Sequence, residues 1–195
     1  LDVAAAIPGG PDQEELLAAS RKGLAFVLAT QNADGAWPQI PAAASGYQAL
    51  STLNDDVTPA HIRILLRASD IFADPAYDAA ARRGLDFLVA TQLESGGWAQ
   101  QYDTDLAPRS ARSFEPVAAS SIESAYAIAA LLEGHARLGD ARYLETAKRG
   151  ARWLARSQTD PEVWSRFYEI GTNRPIFGDR DGSVHYVLSE ISKER

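Results

Sequence analysis

The chain has 195 residues, of which 46% are hydrophobic and 23% charged, a composition typical of a globular domain and not of a disordered chain. It contains no Cys, which excludes disulfides, Cys-ligated zinc and thiol catalysis. The net charge of −7 argues against binding of nucleic-acid phosphates, and no apolar stretch is long enough for a membrane span.

We expect a single domain over residues 1–195, because a chain of this length can bury an adequate core without a metal or disulfide. The sequence begins at Leu1 and contains no Met. It is therefore expected to be a mature form, or a piece, of something longer.

Apolar periodicity predicts six helices and no strand. The first is predicted over residues 12–31 and the second over 56–73, with Asp55 or Asp56 as its N-cap. The others are predicted over residues 76–92, 118–138 and 141–157, with a short sixth from residue 183 onward.

Part of the first helix and the loop after it recur along the chain. Residues 21–39 match residues 82–100 at ten of nineteen positions, and a weaker third copy begins at Lys148. Each unit is too long for one helix and fits a helical hairpin plus a loop. The repeats therefore predict three hairpins around a common axis, which is an all-α fold of the α/α toroid type.

The connections between the predicted helices alternate in length. Residues 73–75 and 139–140 form tight turns, whereas residues 32–54, 93–117 and 158–181 form long loops. If the helices alternate in direction, all three long loops lie at one end of the toroid. Long loops on a helical frame commonly carry function, so this end is the predicted site.

The first long loop ends in Asn54-Asp55-Asp56, and the second contains Asp103. A helix cap explains one aspartate but not two adjacent ones. Carboxylate oxygens from two neighbouring loops would suit Ca²⁺, whereas Zn²⁺ would prefer His or Cys. Asp55, Asp56 and Asp103 are therefore candidate ligands, and any calcium site would be assembled across the two loops.

Three arginines of the long loops, Arg112, Arg166 and Arg174, have two interpretations. They could tie down the loops through carbonyl and carboxylate groups, or they could capture a carboxylate-bearing substrate. None of the three histidines has a Ser or Asp partner at a recognisable spacing, so a Ser-His-Asp hydrolase is not supported.

Trp37 and Trp98 occupy matching repeat positions, and packing is the favoured interpretation of both. Trp98 is also a candidate for contact with substrate. The Gln-x-x-x-Gly-x-Trp segments at residues 31–37 and 92–98 look like the QW repeats of terpenoid cyclases, which are also α/α toroids. A cyclase would need an Asp-x-Asp-Asp acid, and the segment that begins at Asp103 lacks the third carboxylate.

Residues 166–182, which read Arg-Phe-Tyr-Glu-Ile-Gly-Thr-Asn-Arg-Pro-Ile-Phe-Gly-Asp-Arg-Asp-Gly, resemble the C-terminal signature of the family 10 polysaccharide lyases, whose type members are pectate lyases. Further segments occur in the same order as in that family: Gly35-Ala-Trp-Pro-Gln39, Asn54-Asp-Asp56, Trp98-Ala-Gln-Gln-Tyr-Asp103 and Ala111-Arg-Ser-Phe-Glu115. The resemblance covers about residues 20–195.

The resemblance implies an enzyme that cleaves polygalacturonate, or a related uronate polymer, by Ca²⁺-dependent anti β-elimination. Arg112 matches the arginine that removes the C5 proton, and Glu115 would orient it. Arg174, or as second choice Arg166, would bind a neighbouring carboxylate. An arginine base would need a desolvated or cation-rich site, because its pKa in solution is far above neutral.

The resemblance also implies a secreted or periplasmic protein, which we expect to be a monomer. A second hypothesis is a catalytically silent toroid that binds uronans without removing a proton. Residues 32–56, 93–117 and 158–181 together hold twelve Asp and Glu against five Arg, whereas the remainder has fourteen acids and fourteen bases. Such a face would repel a polyanion and attract a divalent cation, so we expect metal to bridge protein and substrate.

Overall fold

The computed structural model describes residues 1, 5–6, 9–43 and 45–192. Helices dominate the described part of the chain. Their bounds are α1 Pro11–Ala29, α2 Val57–Phe72, α3 Pro75–Ala90, α4 Ser121–Leu138 and α5 Ala141–Arg156. The first five predicted helices are therefore confirmed, each end to within three residues.

Helices α2 and α3 form one antiparallel hairpin, and α4 and α5 form a second. The carboxylate of Asp74 accepts a hydrogen bond from the amide of Ala76 at 2.9 Å, and Asp140 accepts one from Arg142 at the same distance. These aspartates cap α3 and α5 and set the two tight turns. Because α2 also packs against α4, the hairpins lie side by side in an all-α, toroid-like fold.

Helix α1 is the repeat equivalent of α3 and α5 and contacts α2. The described residues thus form two hairpins and one further helix, where three hairpins were predicted. The predicted sixth helix is wrong over residues 183–192, and residues 193–195 lie outside the described part. Val184 pairs with a strand instead, and the carboxylate of Asp179 accepts hydrogen bonds from the amide and hydroxyl of Ser192 at 2.6 and 2.7 Å.

Short antiparallel strands lie within the long loops and next to them. The expectation that the chain has no strand is therefore also wrong. They are β1 Ser51–Thr52, β2 Gln101–Tyr102, β3 Pro108–Arg109, β4 Ala119–Ser120, β5 Gln158–Asp160, β6 Val163–Trp164, β7 Phe167–Tyr168, β8 Pro175–Gly178 and β9 Val184–His185. β1 pairs with β2, which joins the first two loops, and β4 pairs with β7, which joins the region before α4 to the third loop. The long loops therefore meet at one end, as predicted.

The repeated glutamines brace successive repeats. The amide nitrogen of Gln31 donates to the carbonyls of Gly35 and Ala80, at 2.7 and 2.9 Å. Gln92 makes the equivalent pair of bonds to Gly96 and Thr146, at 2.8 and 2.9 Å. Each glutamine thus ties its own loop to the helix of the next repeat.

The repeated tryptophans serve the same purpose. Trp37 and Trp98 are 1% and 0% exposed, and each indole N–H donates to a carbonyl ten residues earlier. Each ring packs against a glycine of the next repeat, Gly84 and Gly150 respectively. Packing is therefore the role of both. Trp98 does not line any surface that a substrate could reach, which corrects its place among the substrate-binding candidates.

Two equivalent glycines test this packing. A Cβ on Gly84 would lie 2.6 Å from Cγ1 of Ile62 and 3.1 Å from the Trp37 ring, whereas a Cβ on Gly23 would meet nothing within 4 Å. We expect Gly84→Ala to lower the free energy of unfolding by about 1–3 kcal/mol through overpacking. Gly23→Ala should raise it by about 0.5–1 kcal/mol, because alanine is the better helix former. Urea denaturation of both variants checks this, and equal effects would contradict it.

Candidate functional site

Two arginines from different loops meet on one buried glutamate. Glu115 is fully buried, and Arg112 donates to both of its carboxylate oxygens, from Nε at 2.8 Å and from Nη2 at 2.7 Å. Arg166 of the third loop donates to Oε1 of Glu115 at 3.2 Å. The side chains of both arginines are partly exposed, so Glu115 presents two guanidinium groups to the solvent.

A tight turn holds Arg112 and Glu115 together. The amide of Glu115 donates to the carbonyl of Arg112 at 2.8 Å, and the amide of Ala111 donates to the carbonyl of Glu115 at 3.1 Å. The Glu115 carboxylate also accepts the Arg112 amide at 3.2 Å. Both the backbone and the side chain of Arg112 are thus anchored to the same residue.

Behind the arginines lies a buried polar layer. The amide nitrogen of Gln100 donates to Oδ1 of Asn54 at 3.0 Å and to Oε1 of Glu123 at 3.2 Å. Arg166 reaches the same two oxygens at 3.4 and 3.8 Å. Sequence reasoning missed Glu123, because an acid in the first turn of a helix is unremarkable in sequence. Its burial, and the bond it accepts from the Ser120 hydroxyl, mark it as part of the site.

The charges of this cluster are mutually stabilising. Burial acts to raise the pKa of Glu115, but the hydrogen bonds from Arg112 and the charges of both arginines outweigh it, so that this pKa lies below its usual value. The hydrogen bond with Glu115 in turn raises the pKa of Arg112. In the unliganded protein, Arg112 is therefore a cation paired with a carboxylate.

We expect Glu115→Gln to lower the free energy of unfolding at pH 7 by about 1–3 kcal/mol, because it removes charge-assisted hydrogen bonds. A carboxylate whose pKa is lowered by folding stabilises the protein above its unfolded pKa, near 4.5. That contribution is lost as the pH falls through the lowered pKa. The gap between wild type and variant, measured by urea denaturation, should therefore close in acid. The exposed control Glu94→Gln should show no such gap, and a gap independent of pH would contradict this account.

Asp55 and Asp56 have unusual backbones. Both are left-handed, with φ of 54° and 62°, which is uncommon for residues other than glycine. Asp56 occupies the N-cap position of α2 but makes no capping bond, so the predicted cap role is wrong for its side chain. Strain of this kind is characteristic of functional segments.

The side chains of these two aspartates have different partners. One carboxylate oxygen of Asp55 accepts bonds from Gln39 at 2.9 Å and from Asn54 at 3.1 Å. Asp56 pairs with Arg63 through Oδ2, while its Oδ1 is buried and has no hydrogen-bond partner among the described residues. A carboxylate oxygen without a partner, on a residue that follows a second aspartate in the sequence, is a candidate ligand for a cation.

Asp103 does not join them. In the β1–β2 ladder, Ser51 pairs with Tyr102, which puts Asp103 at the opposite end of the ladder from Asp55. Its carboxylate accepts the amides of Asp105 and Ala107 and the guanidinium of Arg109, at 2.6–3.0 Å. No cluster of three or more His, Cys, Asp or Glu that could hold a metal occurs in the described ranges, so the predicted three-carboxylate site is not assembled.

Arg174 also lies apart from the Glu115 cluster. Its guanidinium carbon sits 3.9 Å from the centroid of the Tyr186 ring, and the hydroxyl of Tyr186 donates to Glu169. The structure thus brings Arg166 to the same carboxylate as Arg112, while the predicted binding of a substrate carboxylate by Arg174 stays a prediction. A cavity of about 420 Å³ opens beside Arg166 and is also lined by Phe114, Trp164 and Phe177.

The fold of this chain is similar to that of solved polysaccharide lyases. A family 10 polysaccharide lyase from Cellvibrio cellulosa superposes on this chain with a TM-score of 0.81 at 26% identity, over 96% of this chain and 68% of that one. A mutant of the family 10 lyase from that organism, in complex with trigalaturonic acid, gives the same values. A cellobiose 2-epimerase from Spirochaeta thermophila shares only the fold, with a TM-score of 0.57 at 18% identity over 90% of this chain and 43% of that one.

The family model described as pectic acid lyase matches residues 9–158 and 134–195. The chain therefore belongs to the pectic acid lyase family and is a polysaccharide lyase, and the terpenoid-cyclase alternative is wrong. No curated protein matches the sequence significantly. Within the described residues, no helix has both the length and the apolarity to cross a membrane.

Proposed function

We propose that this lyase cleaves polygalacturonate by Ca²⁺-dependent anti β-elimination, with Arg112 as the base. The observation that carries the proposal is the Glu115 cluster, in which two guanidinium groups from different loops share one buried carboxylate. Paired guanidinium groups suit a polymer with a carboxylate on every sugar. The relative in complex with trigalaturonic acid supports the choice of polymer.

In the reaction, the C5 proton of a uronate moves to a nitrogen of the neutral guanidine form of Arg112, which becomes a guanidinium cation. The C5–H electron pair forms the C4–C5 double bond, and the C4–O bond breaks to release the leaving chain, whose oxygen takes a proton from water. Arg112 must be neutral to act as the base, and its pairing with Glu115 favours the cation. We therefore infer that substrate binding draws Arg112 away from Glu115, that Arg112 then loses a proton to solvent, and that Arg166 keeps the Glu115 carboxylate paired.

Asp55 and Asp56 are the residues that would hold Ca²⁺, because Oδ1 of Asp56 is buried and unpartnered. Calcium binds six to eight oxygens, so uronate carboxylates and water would complete the set. The bound ion would withdraw charge from the uronate carboxylate and so acidify the C5 proton. Asp103 has no part in this proposal, because its carboxylate is engaged elsewhere.

Polygalacturonate lies outside the cells that degrade it, so we also infer that the protein is exported. Separately, we infer that it works as a monomer. Immunodetection in cytoplasmic, periplasmic and medium fractions tests export, and light scattering of the purified chain tests the oligomeric state. Protein found only in the cytoplasm, or a mass of two or more chains, would contradict these inferences.

The proposed activity is tested by incubating the purified chain with polygalacturonate, alginate and glucuronan, each with added Ca²⁺ or with EDTA. The expected result is ultraviolet absorbance from an unsaturated uronate, with polygalacturonate and Ca²⁺ only. Binding of polygalacturonate without any absorbance would favour the silent binding toroid. Absorbance with another polymer alone would contradict the choice of substrate.

A further inference from the structure

Trp164 is the third member of the tryptophan repeat. It follows Gln158 by six residues, as Trp37 follows Gln31 and Trp98 follows Gln92. Its indole N–H donates to the carbonyl of Leu154, ten residues earlier, at 2.8 Å. The backbone therefore anchors this ring in the way that it anchors the two buried tryptophans.

The surroundings of the third ring are different. Trp37 and Trp98 are covered by Gly84 and Gly150 of the following repeat. Trp164 is 39% exposed and lines the 420 Å³ cavity beside Arg166. The ring is rigidly held at its N–H edge and yet open to a cavity that adjoins the Glu115 cluster.

The third loop also departs from the glycine pattern of the first two loops. A Cβ on Gly35 would lie 2.3 Å from the carbonyl oxygen of Arg83, and one on Gly96 would lie 2.8 Å from that of Arg149. The third loop has Glu162 at this repeat position, with a φ of 60°. In the first two repeats a side chain at this position would collide with the following helix, so Glu162 marks the third repeat as one that does not pack in the same way.

We propose that Trp164 is a stacking platform for a galacturonate ring that occupies this cavity, one sugar or more away from the bond that is cleaved. This inference rests on the proposed polygalacturonate substrate. The face of an indole packs well against the C–H face of a pyranose, and Arg166 joins the cavity to the cluster around Arg112. The volume of the cavity, about 420 Å³, is within the usual range for sites that bind small ligands. A packing residue in two repeats has become a ligand contact in the third.

The test is calorimetric titration with a long galacturonate oligomer and Ca²⁺, in an Arg112→Ala background that lacks the proposed base and is therefore expected to cleave too slowly to disturb the titration. We expect Trp164→Ala to weaken the affinity by about tenfold, which is the scale of one aromatic stacking contact. Trp164→Phe should retain affinity to within about threefold, because it keeps an aromatic face. Val163→Ala, at the exposed neighbouring position, should leave affinity unchanged.

Trp37→Phe separates stacking from structural bracing, because it alters the equivalent buried ring. It should lower the unfolding temperature and leave oligomer affinity unchanged. The inference is overturned if Trp164→Ala binds as tightly as its background, if it weakens binding no more than Trp37→Phe does, or if neither wild type nor background binds the oligomer. A wild-type protein that binds but forms no unsaturated product would refute the proposed activity, and would leave the role of Trp164 to be judged on the affinities alone.

Discussion

Replacing Arg112 with alanine is expected to lower the rate of polygalacturonate cleavage by about 10²–10⁴-fold, the usual contribution of a general base. The variant loses the group that accepts the C5 proton, while Arg166 still pairs with Glu115 and keeps the loops together. Initial rates of ultraviolet absorbance at saturating Ca²⁺ measure the effect.

The matched control is Arg152→Ala, which removes an exposed arginine on α5. It should retain the wild-type rate, and both variants should keep the wild-type circular dichroism. An Arg112→Ala protein that is folded and cleaves within about threefold of wild type would exclude Arg112 as a base of ordinary efficiency.

Removal of metal is expected to abolish cleavage, and added Ca²⁺ to restore it. Asp55→Asn removes one of the two negative charges next to each other in the strained segment, and should raise the Ca²⁺ concentration for half-maximal rate by about 10–100-fold. The measurement is a Ca²⁺ titration of the initial rate after treatment with EDTA.

Asp103→Asn is the comparison variant, because the sequence grouped Asp103 with Asp55 and Asp56 whereas the structure sets it at the other end of the β1–β2 ladder. The structure predicts a smaller change in Ca²⁺ requirement for Asp103→Asn than for Asp55→Asn. Equal changes would indicate that Asp103 is a ligand of the metal after all. Full activity of the wild type in EDTA would show that the reaction does not need calcium.

The helices were predictable because each buries an apolar stripe whose period is visible in the sequence. The strands were not, since each is only two to four residues long, and β1 and β4 pair with strands that are distant in sequence. The predicted helix from residue 183 was wrong for another reason. Val184 and His185 form a hairpin with Phe177 and Gly178, and the Asp181-Gly182 pair in its turn is a local signal that the prediction did not use.

The part of the candidate site that is formed by residues close in sequence was predictable. Arg112 and Glu115 are close in sequence, so a single turn brings them together. Glu123 and Arg166 enter through contacts that depend on how the loops pack, and Glu123 was missed. The separation of Asp103 from Asp55 depends on strand register, which residue types alone do not specify.

The central claim, cleavage of polygalacturonate by elimination, is tested most directly by mass spectrometry of the products that the purified chain releases in the presence of Ca²⁺. We expect oligomers whose new non-reducing ends are unsaturated, each lighter by one water than the corresponding product of hydrolysis. Saturated products, or an intact polymer after prolonged incubation with folded protein, would contradict the claim.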